Sequence, residues 1–315
     1  MRIAETRVET IQLVMPEHAN PLGNLFGGMA MRWMTTAGTL AASRLARGPV
    51  VLGSMNSIDF LSPVHIGDLA VLTAQVEWTG KSSMEVCIEL ESERPSTGVR
   101  RRTTLAHMAY VAIDEKGHPR ALQNAVRPDG DDEAAIYQAA SQRKEDRLRR
   151  MAERRERQRS DEPPWPEAIS HGVESWRIVF PENAIAPGIM FAGDLMMDID
   201  EIGGILAHRY SHSMVVTASI DGMDFLHPIA IGDLILLRAA LNHVGRSSME
   251  IGVRVYAEQP SKGTQTHTCS AYLTFVALDE QGTPRQAPPF EPKSPEERAR
   301  QHAAEQRRAA RRKKG

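Results

Sequence analysis

The stretch IDFLSPVHIGDL, residues 58–69, returns in the same chain as MDFLHPIAIGDL, residues 223–234. The copies lie 165 positions apart, and the same offset pairs GKSSMEV at 80–86 with GRSSMEI at 245–251. Across the surrounding region, from Val8 to Arg120, roughly 40% of residues recur at this offset without a gap. Agreement over this length indicates a duplicated unit, so we expect two similar domains.

The repeat sets the expected domain boundaries. The first domain covers residues 1–122, and the second covers residues 171–290. The segment 123–170 between them is charged and Arg-rich in its middle, which predicts a solvated helical linker. The segment 291–315 is basic but lacks Phe, Tyr and Trp for base stacking, which predicts a disordered tail rather than an RNA-binding one.

Composition limits the class of protein. A net charge of −2 and a hydrophobic content of 41% in 315 residues fit globular domains and no polyanion partner. Cys87 and Cys269 share no metal-type spacing, which fits a reducing compartment. The N-terminus has no secretory apolar core, and no apolar run approaches about 18 residues. We therefore expect a cytoplasmic protein with no membrane insertion and no nucleic-acid partner.

The hydrophobic period changes along each copy in an informative order. Residues 27–46, GGMAMRWMTTAGTLAASRLA, are mostly apolar, interrupted by Arg32 and Arg44, and contain few β-branched residues, which predicts a buried helix. One predicted strand precedes this helix, and four follow it between Gly, Pro, Asp and Ser turns. A helix that is apolar on nearly all sides needs cover all round. The predicted fold is α+β, with an antiparallel sheet wrapped around a central helix in each copy.

The two copies differ where polar chemistry would be expected. Asn20, in the loop HANPLGNLFGG, corresponds to Ile185, whereas Asp200 on the second helix corresponds to Thr35 on the first. Each copy therefore lacks the polar group that the other keeps. This complementary loss predicts one composite site that uses Asn20 and Asp200. It also predicts an inactive counterpart built from Ile185 and Thr35, here called the mirror site.

Helix geometry explains why the composite site needs both halves. Asp200 lies seven residues after Gly193, where its own helix starts. That separation is about 10 Å along the axis, too far for one helix to join its N-terminus to this carboxylate. Two antiparallel helices packed side by side would bring the start of one to the middle of the other. Gly38 and the pair Gly203–Gly204 are expected at the close approach.

One strand, a helix that starts at Gly-Gly and the D-x-x-x-P-x-x-x-G-D loop together resemble the hotdog fold. Two such copies joined by a charged segment resemble the tandem-hotdog acyl-CoA thioesterases, the cytosolic long-chain acyl-CoA hydrolase group of brain type. The resemblance covers about residues 8–120 and 173–285, and HANPLGNLFGG and GKSSMEV are typical of the thioesterase branch. The hotdog fold by itself specifies no reaction.

This resemblance implies a function and an assembly. The two domains would pair as a pseudo-dimer, a double hotdog, and hydrolyse medium- or long-chain acyl-CoA thioesters. The only coenzyme implied is the CoA of the substrate itself. The family also implies a homo-oligomer, a trimer of tandem chains. In the tandem thioesterases one loop Asn and one helix Asp from opposite halves carry catalysis, and Asn20 and Asp200 fall on those positions.

Thioester hydrolysis suggests a role for each group. Unpaired N–H groups at the start of the first helix, near Gly28 and Met29, can hold the carbonyl oxygen as it becomes an oxyanion. Asp200, with a reference pKa of about 3.9, is ionised near neutrality and can act as general base on water. It can also attack the thioester directly to give an anhydride, and both routes stay open. Asn20 would orient the water or the acyl carbonyl.

Other acidic residues fit simpler roles. Asp198 and Glu201 compete with Asp200 for the catalytic position, although residues 198 and 200 lie about 200° apart on a helix and cannot face one cleft. Two positions carry an aspartate in both copies, which favours turn or cap roles for these four residues. They are Asp59, Asp68, Asp224 and Asp233.

Several features suit the CoA and acyl portions of the substrate. The two GxSSME turns each place a cation and two hydroxyls before a strand, which suits a phosphate or pantetheine contact or simply a polar hairpin. These residues are Lys81, Ser82, Ser83, Arg246, Ser247 and Ser248. The run Arg100–Arg102 fits the 3′-phosphate of CoA or a charged edge strand. An apolar groove for the acyl chain is expected along Met29, Met34, Met196 and Met197.

Two other functions remain open. A hotdog hydratase or dehydratase would pair a loop histidine with a helix carboxylate, and His18 with Asp200 is the candidate pair. A non-catalytic acyl-CoA sensor would bind without turnover. The sequence has no Gly-rich phosphate loop, no G-x-S-x-G nucleophile elbow and no His/Cys metal spacing, so we expect neither a metal nor a cofactor.

Overall fold

The computed structural model describes residues 1–160, 169–185 and 187–312. The elements of the first repeat are β1 (Val8–Leu13), α1 (Gly27–Ala46), β2 (Val50–Met55), β3 (Ile58–Asp59), β4 (Leu69–Thr79), β5 (Ser83–Arg94), β6 (Val99–Ala112) and α2 (Gly130–Ser160). Those of the second are β7 (Gly172–Ile178), β8 (Ala184–Ile185), β9 (Ile189–Met190), α3 (Ala192–Ser211), β10 (Met214–Ile220), β11 (Met223–Asp224), β12 (Leu234–Val244), β13 (Ser248–Gln259), β14 (Thr264–Leu278) and α4 (Pro295–Arg312).

Each repeat forms an antiparallel sheet around its own long helix. The first sheet has the strand order β1-β4-β5-β6-β2-β11, and the second has the order β7-β12-β13-β14-β10-β3. Helix α1 packs against the strands of the first sheet and α3 against those of the second. The predicted α+β architecture, with an antiparallel sheet wrapped around a central helix in each copy, is confirmed, as is the tandem hotdog that the resemblance implies.

The two repeats are joined by exchange of their shortest strands. β3 of the first repeat pairs with β10 of the second, where Asp59 is opposite Ser219. In the reciprocal pair, β11 adds to β2, where Met223 is opposite Met55. Each sheet is thus completed by two residues from the other half, so the halves form one pseudo-dimeric unit.

The helices α1 and α3 form the centre of the molecule and pack on each other. Small buried residues such as Ala37, Ala41 and Ala42 allow α1 to lie close to its neighbours. Both helices end at a left-handed residue, Arg47 after α1 and His212 after α3, so the repeat extends to the backbone of the cap. Among the described residues, no helix has the length and apolar character needed to cross a membrane.

Helices α2 and α4 start 165 residues apart and each docks on the sheet of its own repeat. In α2, Arg143 and Arg147 contact the two oxygens of Glu85, at 2.6 and 2.7 Å, so this helix is not simply solvated as predicted. In α4, Arg307 and Arg311 contact Glu250 at 2.5 and 3.2 Å.

The prediction of a disordered tail is wrong, because α4 covers most of it. The basic residues that suggested a solvated segment are partners for the carboxylates of the sheet. A first-turn residue also holds the helix start, since Glu297 accepts hydrogen bonds from Lys293 N and from Ser170 N and Oγ. Sequence composition could not reveal these partners, which lie far away along the chain.

Removal of Arg147 should destabilise the protein. Glu85 is fully buried, and loss of one of its two cations leaves its charge poorly compensated. For Arg147→Ala we expect the free energy of unfolding to fall by about 2–4 kcal/mol, measured by denaturant titration. Arg149→Ala is the matched control, since Arg149 pairs with Asp146 at an exposed site and should change little. Equal effects of the two variants would contradict the docked α2.

Candidate active site

The start of α1 touches the middle of α3. The backbone N–H of Gly28 donates a hydrogen bond of 2.6 Å to Oδ2 of Asp200. A Cβ atom on Gly28 would lie only 2.9 Å from Cα of Met197, so a glycine is needed for this approach. At the mirror position, a Cβ atom on Gly193 would lie 3.2 Å from Cα of Arg32. The antiparallel pairing of the two helices therefore agrees with the prediction.

The glycines expected at that close approach serve another purpose. A Cβ atom on Gly38 would lie 2.4 Å from the hydroxyl oxygen of Tyr110, and one on Gly203 would lie 2.9 Å from the ring of Phe275. These two glycines make room for aromatic side chains of the sheets rather than for the facing helix. The prediction was wrong because helix spacing alone does not reveal which face of a helix meets the sheet.

Asp200 is a buried carboxylate with two donors. Its side chain is 0% exposed, and Thr217 Oγ1 on β10 donates to its Oδ1 at 2.8 Å while Gly28 N donates to Oδ2. Burial raises the pKa of Asp200 to about 6, and the bonds from Thr217 and Gly28 act in the opposite direction. A carboxyl with a pKa near 6 can accept and return a proton near neutral pH.

Asn20 lies in the loop that leads into α1. Its Oδ1 accepts hydrogen bonds from Leu22 N at 3.0 Å and from Asn24 N at 3.2 Å. These bonds organise the loop and fix the amide, which leaves Nδ2 as the group that can donate to a ligand. The same loop is tied to α1, because Phe26 N donates to His18 O at 2.9 Å.

Two polar residues of this region were missed by the sequence analysis. Thr217 bonds Asp200 directly, and the buried Oδ1 of Asn24 has no hydrogen-bond partner among the described residues. A signal for both existed in the repeat: at the offset of 165, Thr217 corresponds to Leu52 and Asn24 to Ile189. Both therefore share the pattern of Asn20 and Asp200, polar in one copy and without the polar group in the other.

The proposed oxyanion donors at Gly28 and Met29 are placed at the first turn of α1. The first N–H groups of a helix have no partner within the helix. In this structure the N–H of Gly28 is not free, because it holds Asp200. A thioester carbonyl at this helix start would have to share or displace that bond, whereas the N–H of Met29 is the adjacent donor.

The competing carboxylates are accounted for elsewhere. Asp198 forms an ion pair with Arg177 of β7, and burial raises its pKa to about 6. Glu201 is exposed. Asp68 accepts from His65 N and Asp233 accepts from Ala230 N, which are turn contacts of the kind expected for them. Two acids on α3 contact α1: Asp194 pairs with the Arg32 side chain at 2.6 Å, whereas Asp200 meets the backbone N–H at the start of α1.

The described side-chain contacts of His18, the histidine that a hydratase would use, are to Met15 and Trp33. Nδ1 of His18 accepts a hydrogen bond from Met15 N at 3.1 Å, and its ring packs edge-on against Trp33 with 5.0 Å between ring centroids. These contacts hold His18 as a local cap of the loop. They supply no observation in favour of a proton relay between His18 and Asp200.

The two GxSSME turns are tight hairpins with an additional structural task. Backbone bonds close them, from Gly80 N to Ser83 O at 2.8 Å and from Gly245 N to Ser248 O at 2.7 Å. The glutamates that end the motifs bind arginines of α2 and α4, which the sequence analysis also missed. A polar pocket of about 310 Å³ lies beside Ser248, with Arg308 in its lining.

Two groups suggested for substrate binding have other partners. On β6, Arg100 pairs with Glu93 at 2.6 Å and Arg102 pairs with Glu89 at 2.5 Å, which favours the charged-strand interpretation over a phosphate site. Met34 and Met196 are fully buried in the core, so they do not line an open groove, whereas Met29 and Met197 are partly exposed.

A cluster that the sequence analysis did not detect lies on the first sheet. Glu77, Cys87 and His107 place one potential ligand atom each within 4.8 Å of one another. A cation is already present, because Arg143 lies 2.5 Å from Oε2 of Glu77. Burial raises the pKa of the Cys87 thiol and lowers that of His107 to about 4, so both side chains are neutral at pH 7. The cluster fits a buried ion-pair network better than a metal centre.

Comparison with known proteins agrees with the fold and the repeat. The profile of the Thioesterase superfamily matches residues 22–99 and 187–264, two segments at the repeat offset. Protein VdlD of Helicobacter pylori (strain ATCC 700392 / 26695) is 37% identical over 117 residues, which cover 37% of this chain and 67% of VdlD. The chain belongs to the Thioesterase superfamily.

Other relatives align over both repeats of this chain. The mouse protein named cytosolic acyl coenzyme A thioester hydrolase is 29% identical over 308 residues, which cover 92% of this chain and 79% of the mouse protein. Mouse acyl-coenzyme A thioesterase 11 is 30% identical over 300 residues, which cover 91% of this chain and 50% of the mouse protein. A solved acyl-ACP thioesterase of Bacteroides thetaiotaomicron shares the fold, with a TM-score of 0.55 and 12% identity over 87% of this chain and 100% of its own.

The environment of Asp200 predicts how its pKa responds to substitution. The bond from Thr217 favours the ionised carboxylate, so Thr217→Val should raise the pKa above about 6. Carboxyl carbon chemical shifts followed by NMR through a pH titration would measure this. Thr36→Val, the same change at an exposed threonine of α1, should leave the midpoint in place. A midpoint that is unchanged or lower in Thr217→Val would contradict the assigned bond.

Burial of Asp200 also makes the stability of the folded protein depend on pH. The unfolded chain releases this proton near pH 3.9, whereas the folded protein keeps it until about pH 6. The folded state therefore binds more protons across this window. The contribution of Asp200 to stability consequently decreases as the pH rises from about 4 to about 6.

Proposed function

We propose that this protein hydrolyses medium- or long-chain acyl-CoA thioesters at one composite site between its two halves. The observation that supports this most directly is the contact between the α1 start and Asp200, which joins a carbonyl-polarising element to a base. Membership of the Thioesterase superfamily and the names of the tandem relatives support the reaction and the CoA substrate. No observation favours the hydratase.

The proposed reaction combines the N–H groups at the α1 start, a water molecule and Asp200. The thioester carbonyl accepts from N–H groups at the α1 start, near Gly28 and Met29, and becomes polarised. Asp200 removes a proton from water, the water oxygen attacks the carbonyl carbon, and the C–S bond breaks when the tetrahedral intermediate collapses. The CoA thiolate takes up the proton from Asp200. With a pKa of about 6, roughly nine in ten Asp200 side chains are ionised at pH 7.

Direct attack by Asp200 is the alternative route to the same products. The carboxylate is enclosed by Gly28 and Thr217 and has both oxygens engaged. This arrangement suits proton transfer more than displacement at a bulky acyl carbon, so we favour the general-base role. Asn20 is proposed to orient the water or the carbonyl through its Nδ2 donor.

For the CoA end, the turn of the second repeat is proposed to serve the composite site. Ser248 is opposite Val276 in the sheet, and Val276 is the repeat counterpart of Val111, which lines the mirror site. From the pseudo-symmetry we infer that Arg246, Ser247 and Ser248 lie next to the Asp200 side. By the same reasoning Lys81, Ser82 and Ser83 lie next to the mirror site.

A cytoplasmic location and a homo-oligomer are also part of the proposal. The name of the mouse relative, cytosolic acyl coenzyme A thioester hydrolase, supports the cytoplasmic location. For the homo-oligomer, the edge strands β1 and β7 expose apolar side chains at matching repeat positions. These side chains are Ile11 and Leu13 on β1 and Trp176 and Ile178 on β7. Such rows are typical of surfaces that become covered by another chain. The trimer of tandem chains is the arrangement proposed.

The composite site predicts unequal effects of equivalent substitutions. Asp200→Asn should lower kcat for octanoyl-CoA by about 10²–10⁴, the usual range for loss of a general base. Thr35→Asn places the same side chain at the mirror position and should leave kcat within about twofold of wild type. Release of free thiol measures both rates. A sensor would show no turnover at all, and a fully active Asp200→Asn would exclude the proposed base.

The role of Asn20 can be separated from its structural task. Asn20→Asp keeps the Oδ1 acceptor for Leu22 N and Asn24 N but removes the Nδ2 donor. We expect Asn20→Asp to retain the thermal midpoint of the wild type and to lose about 10²-fold or more in kcat. Ile185→Asn is the mirror control and should not raise the rate. Full activity in Asn20→Asp would reduce Asn20 to a loop residue.

Charge at the CoA-binding turn should affect binding rather than chemistry. Arg246→Ala is expected to raise the KM for acyl-CoA about tenfold with little change in kcat, since a lost phosphate contact weakens ground state and transition state alike. The KM for an acyl-pantetheine substrate, which lacks the nucleotide phosphates, should be the same in both proteins. Lys81→Ala, at the equivalent turn, is the matched control. A larger effect of Lys81→Ala would reverse the assignment of the turns.

A further inference from the structure

A cavity of about 240 Å³ lies at the mirror site, between the two halves. Its walls come from both repeats and include Thr35 on α1, Leu52 on β2, Ile185 and Ile189 in the second loop, and Leu195 on α3. Thr35 and Ile185 are the repeat counterparts of Asp200 and Asn20. The inactive counterpart predicted from the sequence is therefore a formed cavity and not a collapsed one.

Four exchanges distinguish this cavity from the composite site. Asp200, Thr217, Asn20 and Asn24 on one side correspond to Thr35, Leu52, Ile185 and Ile189 on the other. Three of these exchanges replace a polar group with a branched aliphatic one of equal or greater size. A cavity of about 240 Å³ is present beside these bulkier side chains. Loss of the chemistry has thus been accompanied by an apolar lining.

The lining and the volume together indicate the kind of ligand. An apolar cavity of about 150 Å³ stays dry and takes a molecule such as benzene, whereas drug-sized ligands occupy about 300–1,000 Å³. A cavity of about 240 Å³ lies between these limits and suits a short or medium acyl chain. Exposed residues of the lining, His227 and Pro228, give the cavity a solvent side through which a chain can enter.

One buried polar atom in the cavity wall has no partner. Thr268 on β14 is among the lining residues and is 1% exposed, and its buried hydroxyl has no hydrogen-bond partner among the described residues. A buried hydroxyl in this state is destabilising unless a ligand or water completes it. A carbonyl oxygen at the head of an acyl chain would supply the missing acceptor.

The head group is better matched by a neutral thioester than by a free carboxylate. At the start of α3, the buried carboxylate of Asp194 already occupies the positive end of the helix and pairs with Arg32 at 2.6 Å. No Lys or Arg occurs among the described residues that line the cavity. The polar turn Lys81–Ser83 lies one strand away, because Ser83 is opposite Val111 of the wall.

We propose that the mirror site binds the acyl chain of a second acyl-CoA molecule and holds it without hydrolysis. The cavity receives the chain, the Thr268 hydroxyl meets the thioester carbonyl, and the Lys81–Ser83 turn lies towards the CoA end. No Asp or Glu occurs among the described residues of the lining, and His227 lies on its exposed side. At the position that corresponds to Asp200, Thr35 has a hydroxyl that donates to Met31 O at 2.9 Å. The choice of acyl-CoA as ligand rests on the proposed function, whereas the existence of an apolar second site does not.

Stoichiometry of a non-hydrolysable analogue tests this inference. Equilibrium dialysis of the full chain with S-(2-oxononyl)-CoA, a thioether whose ketone stands in for the thioester carbonyl of octanoyl-CoA, should give two molecules bound per chain. Ile185→Trp fills the mirror cavity and should reduce this to one, with kcat for octanoyl-CoA within about twofold of wild type. Ile189→Trp is a second filling variant, in case the first is poorly folded by its thermal midpoint. Ile205→Trp, at an exposed residue of α3 outside the cavity, is the matched control and should retain two.

The possible outcomes separate the two claims. If the wild type and both filling variants each bind one thioether molecule per chain, the proposal of a second site is overturned. Hydrolysis that depends on Asp200 would in that case leave the proposed function intact. A second site that takes octanoate in preference to S-(2-oxononyl)-CoA overturns the thioester assignment. Absence of both hydrolysis and thioether binding would instead reject the proposed function together with the acyl-CoA ligand.

Discussion

The hydrogen bond from the start of α1 to Asp200 is the interaction on which the arrangement of the site depends. It joins a donor of the first repeat to an acceptor of the second at 2.6 Å, and it requires a glycine at position 28. Because a helix start polarises what lies in front of it, the contact brings a carboxylate into a field suited to negative charge. Burial then raises the pKa of that carboxylate to about 6.

Duplication allowed the two halves to become different without loss of the fold. The sheets, the exchanged strands and the docked helices recur in both repeats. The residues around the helix starts do not recur, since one half keeps the amides and the other keeps the acid. Near the start of α3, Arg32 and Asp194 form an ion pair. Their repeat counterparts, near the start of α1, are Met197 and Met29. The pseudo-symmetry is thus structural, and the chemistry is one-sided.

Much of this could be read from the sequence because a repeat is its own alignment. The offset of 165 predicted the two domains, the central helices and the meeting of Gly28 with Asp200. Thr217 and Asn24 were within reach of the same comparison, as polar residues opposite Leu52 and Ile189. They were missed because only the loop amide and the helix acid were compared.

Other features could not be obtained from local patterns. The tail was expected to be disordered because its composition is basic, yet Arg307 and Arg311 bind Glu250, which is about 60 residues away along the chain. Gly38 and Gly203 were expected to face the neighbouring helix but face the sheets. Tertiary packing, and not the local sequence, determines which face of a buried helix contacts which neighbour. The volume left at the mirror site likewise depends on side chains from both repeats.

A double variant tests the central claim, a single site shared by two halves, most directly. Thiol release from octanoyl-CoA would be measured for Asn20→Asp combined with Asp200→Asn and compared with each single variant. Residues that act together in one site have non-additive effects, so the double variant should be no slower than the slower single variant by more than about threefold. Two single variants that each keep about half of the wild-type rate, with activity abolished in the double variant, would indicate two independent sites and contradict the account.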